Sequence, residues 1–138
     1  MSGYFCIDKA GAHTERCYSV RITGSPPSVA ILINKNIPIA VQETISDPLG
    51  HYVLINCQIY SEQWTFLNLY APNYDDISFI QDIILKVSGG HEHFLTGGDF
   101  NFCLDTILDK SATSTSKSKS ASTTLSFMKD FNLTDVWK

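Results

Sequence analysis

The chain has 138 residues, 43% of them hydrophobic and 17% charged, which suits one globular domain and excludes a disordered chain. Its formal net charge of −4 provides no overall basic field, so binding to nucleic acid would depend on a local patch. The four cysteines form no CxxC pair, which argues against a zinc ribbon and favours reduced thiols inside the cell. No stretch has the length of a membrane span, and the first residues do not form a signal peptide.

The first part of the chain has a weak pattern. Residues 1–27 end in Gly-Ser-Pro-Pro, and we interpret them as a divergent lead-in to a domain that spans residues 28–138. Within this lead-in, residues 4–7 and 17–22 have enough β-propensity to supply an additional strand. From residue 29 the pattern sharpens, because the run VAILI over 29–33 is typical of a strand buried on both faces.

Three more strands are predicted before Pro72. Residues 37–41 form a short apolar run, and Asp47-Pro48-Leu49-Gly50 then has the composition of a turn. Residues 51–60 alternate, with Val53, Ile55, Cys57 and Ile59 on one face. Residues 64–71 alternate again, with one face made of Thr65, Leu67, Leu69 and Ala71 and the other of Trp64, Phe66, Asn68 and Tyr70. The short polar link Ser61-Glu62-Gln63 lies between them, so the two runs predict an antiparallel hairpin.

A helix is predicted directly after this hairpin. Asp75 and Asp76 provide an N-cap, and apolar residues recur at helical spacing over 77–87 before Gly89-Gly90. Residues 93–96 then predict a short strand that is broken by Gly97-Gly98.

The last part of the chain combines a polar tract with an apolar segment. Residues 111–124 contain only Ser, Thr, Ala and Lys, which predicts a flexible surface loop that buries nothing. Leu125, Met128 and Phe131 then share one side of a predicted short helix.

Two motifs carry most of the chemistry. Asp99 and Asn101 are two residues apart, so in extended backbone they face the same side. A carboxylate can orient or deprotonate a water, and a carboxamide can donate to a phosphate oxygen, which together suit phosphodiester hydrolysis. The glycines before Asp99 allow another backbone or a phosphate to approach closely. The alternative is a Gly-Asp turn whose polar side chains cap local backbone groups.

The second motif ends the predicted hairpin. Asn68 and Tyr70 share a strand face, and Pro72 turns the chain just after them. Tyr70 could donate its phenol to a phosphate, or it could be an aromatic residue at the edge of the core with a solvated hydroxyl.

Five segments follow one another along the chain: Val29-Ala30-Ile31-Leu32-Ile33, Asp47-Pro48-x-Gly50-x-Tyr52, Asn68-x-Tyr70-Ala71-Pro72-Asn73, Gly97-Gly98-Asp99-Phe100-Asn101 and Leu133-Thr134-Asp135-Val136-Trp137. Taken together and in this order, they resemble the endonuclease/exonuclease/phosphatase superfamily, and most closely the endonuclease of vertebrate LINE-1-type retrotransposons. The resemblance covers residues 28–138.

The resemblance implies an α/β fold, here a partial four-layer sandwich of two packed, mainly antiparallel sheets with outer helices. It also implies Mg²⁺-assisted attack of water on a DNA phosphodiester. In that reaction Asp99 would align the water together with a histidine, and Asn101 would hold the scissile phosphate. Tyr70 would stabilise the transition state, and Asn73 would contact the nucleic-acid backbone.

Several parts of the family's site have no counterpart. The family's upstream Asn and metal-binding Glu are not matched in residues 1–27. The family's downstream Asp and His follow the last matched segment, and they have no counterpart in this sequence. Since losing one member of a cooperating site already costs orders of magnitude in rate, we expect a truncated domain with little or no activity. Gln42-Glu43-Thr44 matches the Gln-Glu-Thr segment that carries the family's metal-binding Glu, but it follows the strand over 29–33, whereas the family's segment precedes that strand. Glu43 is therefore expected to be an exposed strand residue, and it could serve only as a substitute metal ligand.

Three other kinds of binding site are less consistent with the sequence: a calcium loop, a histidine metal site and a lysine-rich contact with a phosphate backbone. Asp99-x-Asn101 does not continue as a calcium loop, since Cys103 and Leu104 occupy positions that require a ligand and Gly. His91-Glu92-His93 lacks a third ligand at suitable spacing. Lys117 and Lys119 would give only weak, salt-sensitive attraction to a phosphate backbone.

Three functions therefore stay open: a partial nuclease domain, an active phosphoesterase that rebuilds its metal site from local residues such as Glu43, His91 or His93, and a non-catalytic binding protein. We expect a nuclear or cytoplasmic protein with DNA as partner and no contact with membranes. An incomplete sandwich leaves unpaired strand edges, so we also expect marginal stability and self-association.

Overall fold

The computed structural model describes residues 15–21, 27–34, 36–89, 92–104 and 118–136. They form a mixed α/β architecture with six strands and two helices. In chain order these are β1 (Glu15–Arg21), β2 (Pro27–Asn34), β3 (Ile39–Ser46), β4 (Tyr52–Ile59), β5 (Glu62–Tyr70), α1 (Ile77–Ser88), β6 (His93–Asp99) and α2 (Lys119–Asp130). His91, Lys117 and Trp137, named above for their sequence patterns, lie outside the described residues.

The larger sheet has the strand order β3-β4-β5-β6. Its first three strands are antiparallel neighbours, and β6 pairs with β5 in parallel after the crossover through α1. The predicted hairpin of β4 and β5 is confirmed. Its reversal is shorter than predicted, because Ile59 already pairs with Glu62 and only two residues form the turn. The first of them, Tyr60, adopts a positive φ of 54°, as tight hairpin turns require.

The central strand β4 is buried on both faces. Tyr52 and Leu54 face α1, where they pack with Leu67, Leu69 and residues of the helix. Val53 and Ile55 face the opposite way, toward β2. Alternation therefore separates two apolar layers on the two sides of one sheet, and neither layer is left to solvent along β4.

The smaller sheet is the antiparallel ribbon of β1 and β2. Val29 and Ile33 of β2 pack on β3 and β4, and the side-chain amide of Asn68 on β5 donates to the carbonyl oxygen of Ala30 at 2.7 Å. The predicted strand over 29–33 is confirmed. Within the lead-in, Glu15–Arg21 is a strand, in line with the β-propensity noted for 17–22, whereas residues 4–7 lie outside the described residues.

Helix α1 matches its prediction. The side chain of Asp76 accepts a hydrogen bond from the amide of Phe79 at 3.1 Å, which caps the helix N-terminus. Ile80, Ile83 and Val87 are buried against the sheet, as their helical spacing indicates.

Helix α2 corrects the prediction of a loop over residues 111–124, because it begins at Lys119. Ser118 caps it, accepting from the amide of Ala121 at 3.1 Å. Its buried face consists of the small residues Ser120, Ala121 and Thr124, and not of the Leu125, Met128 and Phe131 side that the apolar pattern favoured. Small side chains allow the helix to pack closely without a large apolar stripe, so the prediction that this tract buries nothing was wrong.

The predicted break at Gly97-Gly98 was also wrong. Both glycines lie inside β6, which continues to Asp99 with Gly98 paired to Leu69. The predicted strand over 37–41 begins later, at Ile39, and runs on through Glu43 to Ser46. Neither helix, at 12 residues each, is long and apolar enough to cross a membrane within the part of the chain that the structure describes.

Candidate functional site

Tyr70 and Asp99 lie side by side at the ends of β5 and β6. They are register partners in the parallel pair, and the backbone amide of Ala71 continues the ladder by donating to the carbonyl oxygen of Asp99 at 2.8 Å. Laterally paired residues in a sheet face the same side, so the phenol and the carboxylate project together. Tyr70 is exposed and Asp99 is half-buried, which leaves this end of the sheet open to a ligand.

Asn101 is fixed beside this pair by two hydrogen bonds. Its backbone amide donates to Oδ1 of Asp99 at 3.0 Å, and its Nδ2 donates to the carbonyl oxygen of Ala71 at 2.5 Å. The residue adopts a positive φ of 53°, a conformation that Asn tolerates better than most residues. The structure thus brings three of the predicted site residues together: Tyr70, Asp99 and Asn101.

These two bonds are also what the turn interpretation anticipated, since each side chain caps local backbone. They do not use up the chemistry of either group. A carboxamide nitrogen carries two hydrogens, and a carboxylate has a second oxygen. Within the part of the chain that the structure describes, one hydrogen of Asn101 Nδ2 and the Oδ2 atom of Asp99 are therefore left for a ligand, and the bonds of the other atoms hold the two groups in place.

Gly98 explains how Asp99 comes so close to Tyr70. Its φ of 131° lies in a region that side chains disfavour, and the space where a Cβ would stand is filled by the backbone of Leu69. Of the two possibilities raised for these glycines, close approach of another backbone is the one that Gly98 serves.

Asn73 lies in the segment that connects β5 to α1, and its side chain is exposed. The neighbouring Tyr74, which the sequence motifs did not single out, is 66% exposed and offers an aromatic face at the same edge. Its signal in the sequence was only its position directly after the Tyr-Ala-Pro-Asn run.

The N-termini of both helices also lie at this edge but are occupied by carboxylates. Asp76 caps α1, whereas Asp75 accepts hydrogen bonds from the hydroxyl of Ser118 and the amides of Lys119 and Ser120 at 2.8 to 2.9 Å. Hydrogen bonds from Ser120, Lys119 and Ser118 lower the pKa of Asp75 below its usual range. A phosphate would have to displace these carboxylates, so neither helix N-terminus is an open anion site.

The turn before β4 also belongs to this edge. The backbone amide of Tyr70 donates to the carbonyl oxygen of His51 at 2.6 Å. Nδ1 of His51 lies 3.2 Å from Oδ2 of Asp47, and the His51 amide donates to the same oxygen at 3.1 Å. In the sequence, Asp47-Pro48-x-Gly50 indicated a turn and one of the five resembling segments, but no pattern singled out the histidine that follows it.

Glu43 lies elsewhere. Its Oε2 accepts from Nδ2 of Asn56 at 2.9 Å, and Oδ1 of Asn56 accepts from the hydroxyl of Thr65 at 2.8 Å. Thr65 precedes Tyr70 by five residues, which is roughly 16 Å along a strand, and it faces the helices. As expected, Glu43 is an exposed strand residue, and the structure does not bring it to Asp99.

His93 is equally remote from the cluster. It begins β6, whereas Asp99 ends it. Its ring stacks on Trp64 with centroids 4.5 Å apart, and Nε2 lies 3.8 Å from Oε2 of Glu62. His93 and Trp64 therefore lie at the opposite end of the paired strands β5 and β6 from the cluster.

The donor set fits the implied magnesium ion only in part. Mg²⁺ is bound by one or two carboxylates together with waters and substrate phosphates, and Asp99 supplies one such carboxylate at the cluster. The described ranges contain no group of three His, Cys, Asp or Glu side chains able to hold a metal ion. Comparison of the chain with models of known protein families gave no match.

Proposed function

We propose that the cluster of Tyr70, Asp99 and Asn101 is the phosphodiester-contacting part of a DNA endonuclease centre, related to the endonucleases of LINE-1-type retrotransposons. The observation that supports this proposal is the pairing of Tyr70 with Asp99, two residues that are distant in the chain and adjacent in the sheet. A turn that only capped its own backbone would not require a phenol beside its carboxylate.

Each of the three side chains has a chemical task in this proposal. Oδ2 of Asp99 accepts a hydrogen bond from the attacking water and orients it. The second hydrogen of Asn101 Nδ2 and the phenol of Tyr70 donate to the non-bridging phosphate oxygens, where negative charge grows in the transition state. The bonds from Asn101 to Asp99 and Ala71 hold these groups in place before the substrate arrives.

The proposal includes the finer form of the fold. The ribbon of β1 and β2 packs across the face of the larger sheet that lies opposite the helices. We propose that this ribbon is the beginning of the second sheet of a four-layer α/β sandwich. DNA is then the partner, in the nucleus or cytoplasm, and exposed strand edges favour self-association.

We expect little or no cleavage by this chain alone. The resemblance calls for a Glu, a second Asp and a His that none of the matched segments provides. Catalytic residues that act as a unit lose most of their effect when one is removed. Mg²⁺ would neutralise charge on the phosphate if the missing ligands were supplied.

The test combines cleavage with binding. Nicking of supercoiled plasmid by the purified chain is measured in Mg²⁺ beside Asp99→Ala and an EDTA control. Binding of a labelled DNA duplex is measured in EDTA for the wild type and for Asn101→Ala. Asp130→Asn, exposed at the other end of α2, serves as the control variant for folding and charge.

The outcomes separate the three functions. Weaker binding by Asn101→Ala without nicking supports a partial, non-catalytic centre at this edge. Nicking that both Asp99→Ala and EDTA abolish supports an active phosphoesterase with a rebuilt metal site. If the chain neither nicks DNA nor loses affinity in Asn101→Ala, the nuclease proposal is wrong.

A further inference from the structure

The turn from Asp47 to His51 is built more rigidly than a connection between two strands requires. The Gly50 amide donates to the carbonyl oxygen of Asp47 at 2.9 Å, and the Asp47 amide donates to the carbonyl oxygen of Tyr52 at 3.0 Å. Gly50 is buried with a φ of 81°, so the chain can fold tightly under the imidazole. The Asp47 carboxylate then holds both the backbone amide and Nδ1 of His51.

The imidazole stands at the same edge as the candidate site. The carbonyl oxygen of His51 bonds to the amide of Tyr70, which places the two backbones next to each other. The imidazole ring of His51 packs edge-to-face with the ring of Phe79 in the first turn of α1, with ring centroids 5.7 Å apart and an interplanar angle of 87°. The segment that carries Asn73 joins Tyr70 to this helix, so His51 and Asn73 both lie near the end of β5 that carries Tyr70.

The ring is oriented for an external ligand. Because Nδ1 is directed at Asp47, Nε2 is the nitrogen that is left, and the His51 side chain is 31% exposed. A protonated imidazole presents Nε2–H as a charged hydrogen-bond donor, which suits a phosphate oxygen.

We propose that protonated His51 contacts a backbone phosphate that flanks the scissile position, with Asp47 as its positioning residue. This inference rests on DNA as the substrate class of the proposed function but not on cleavage. The elements around the ring carry several titratable groups: Asp47 on the turn, Tyr52 and Cys57 on β4, Glu62 and Tyr70 on β5, the cap Asp76, and Asp82 and Lys86 on α1. Asp82 and Lys86 pair with each other at 2.6 Å, which leaves Asp47 as the carboxylate in contact with the imidazole.

The experiment measures fluorescence anisotropy of a labelled DNA duplex in EDTA, so that binding is separated from cleavage. His51→Gln keeps the size of the side chain without its charge, and His51→Arg keeps the charge. His93→Gln is the matched control, because His93 is also a half-buried histidine near a carboxylate but lies at the opposite edge of the sheet.

At pH 6 we expect His51→Gln to raise Kd about fivefold and to reduce the slope of log Kd against log salt by about one, as for loss of one phosphate contact. His51→Arg should bind at least as tightly as the wild type, and His93→Gln should be unchanged.

Three results would overturn the inference. His51→Gln could bind like the wild type at pH 6, or His51→Arg could bind as weakly as His51→Gln, which would indicate a packing role. A wild-type chain that does not bind DNA at all would remove both this inference and the proposed function. Binding that depends on His51 without any nicking would instead leave the inference standing and count against catalysis.

Discussion

A Cβ atom on Gly98 would overlap the carbonyl oxygen of Leu69, because β6 approaches β5 at this point more closely than any side chain permits. The φ of Gly98, 131°, is also a conformation that L-residues rarely adopt. The position next to Asp99 therefore tolerates only glycine, and the geometry of the candidate site depends on it.

Gly98→Ala should accordingly be strongly destabilising. The unfavourable φ alone costs about 1–3 kcal/mol, and the overlap with Leu69 forces the end of β6 to move as well. Urea unfolding of the variant measures the loss. Gly89→Ala is the control, since a Cβ added there would meet no atom within 4 Å and the φ of −88° suits alanine. Equal stability of the two variants would contradict the close approach.

Asp75 predicts a dependence of α2 on pH. Hydrogen bonds from Ser120, Lys119 and Ser118 lower the pKa of Asp75, so its folded value lies below its unfolded value of 3.8. Its contribution to stability is thus fully present above about pH 5, and it is lost as the pH falls below the unfolded value toward the lower folded one. Amide exchange of α2 between pH 6 and pH 2 measures this loss.

The control for this pH effect is Asp75→Asn, which should weaken α2 at neutral pH and flatten its response to acid. Asp130→Asn at the other end of α2 should keep the wild-type response. If acid loosens α2 equally in Asp75→Asn and in the wild type, another group is responsible.

The hydrogen bond from Asn68 on β5 to Ala30 on β2 should help to hold the ribbon of β1 and β2 against the larger sheet. The Asn68 side chain donates to the carbonyl oxygen of Ala30, and Asn68→Ala leaves that carbonyl without its partner at a cost of about 1–3 kcal/mol. We expect faster amide exchange in β2 and a lower unfolding midpoint. Asn34→Ala removes only an exposed bond to the amide of Asn36, so its effect should stay within about 0.5 kcal/mol. Unchanged exchange in β2 would show that Asn68 does not hold the ribbon.

Cys57 predicts slow thiol chemistry in the folded state. Its side chain is fully buried in β4, and burial raises the pKa of the Cys57 thiol. Since the thiolate is the reactive form, alkylation by iodoacetamide at pH 8 should modify Cys57 only after unfolding, whereas half-buried Cys103 reacts earlier. Mass mapping of the two peptides with and without urea measures the difference. Equal rates without urea would contradict the burial of Cys57.

The elements that the sequence predicted well carry their own periodic pattern. Residues 77–87 of α1 place apolar side chains at helical spacing after an Asp cap, and the adjacent apolar runs of β4 and β5 predict the hairpin that pairs them. Helix α2 has no such signal, because it buries Ser120, Ala121 and Thr124 and is anchored by Asp75, which lies more than 40 residues earlier. A local pattern cannot reveal an anchor at that distance.

The candidate site was predictable to a similar extent. The composition of the two motifs indicated Tyr70, Asp99 and Asn101, but their meeting depends on the parallel register of β5 and β6. The contact between Asp47 and His51 was hidden in a segment whose Pro and Gly indicated only a turn. Tertiary pairing, and not residue type, decides which polar side chains share an edge of the sheet.

The parallel pairing of β5 and β6 also bears on the order in which the molecule folds. Strands β3, β4 and β5 follow one another through tight reversals, so their pairing closes short loops at little entropic cost. The pairing of β6 must wait until the whole crossover through α1 has closed, which is a slower event. A chain arrested after the pairing of β3, β4 and β5 would not yet have brought the phenol of Tyr70 next to the carboxylate of Asp99.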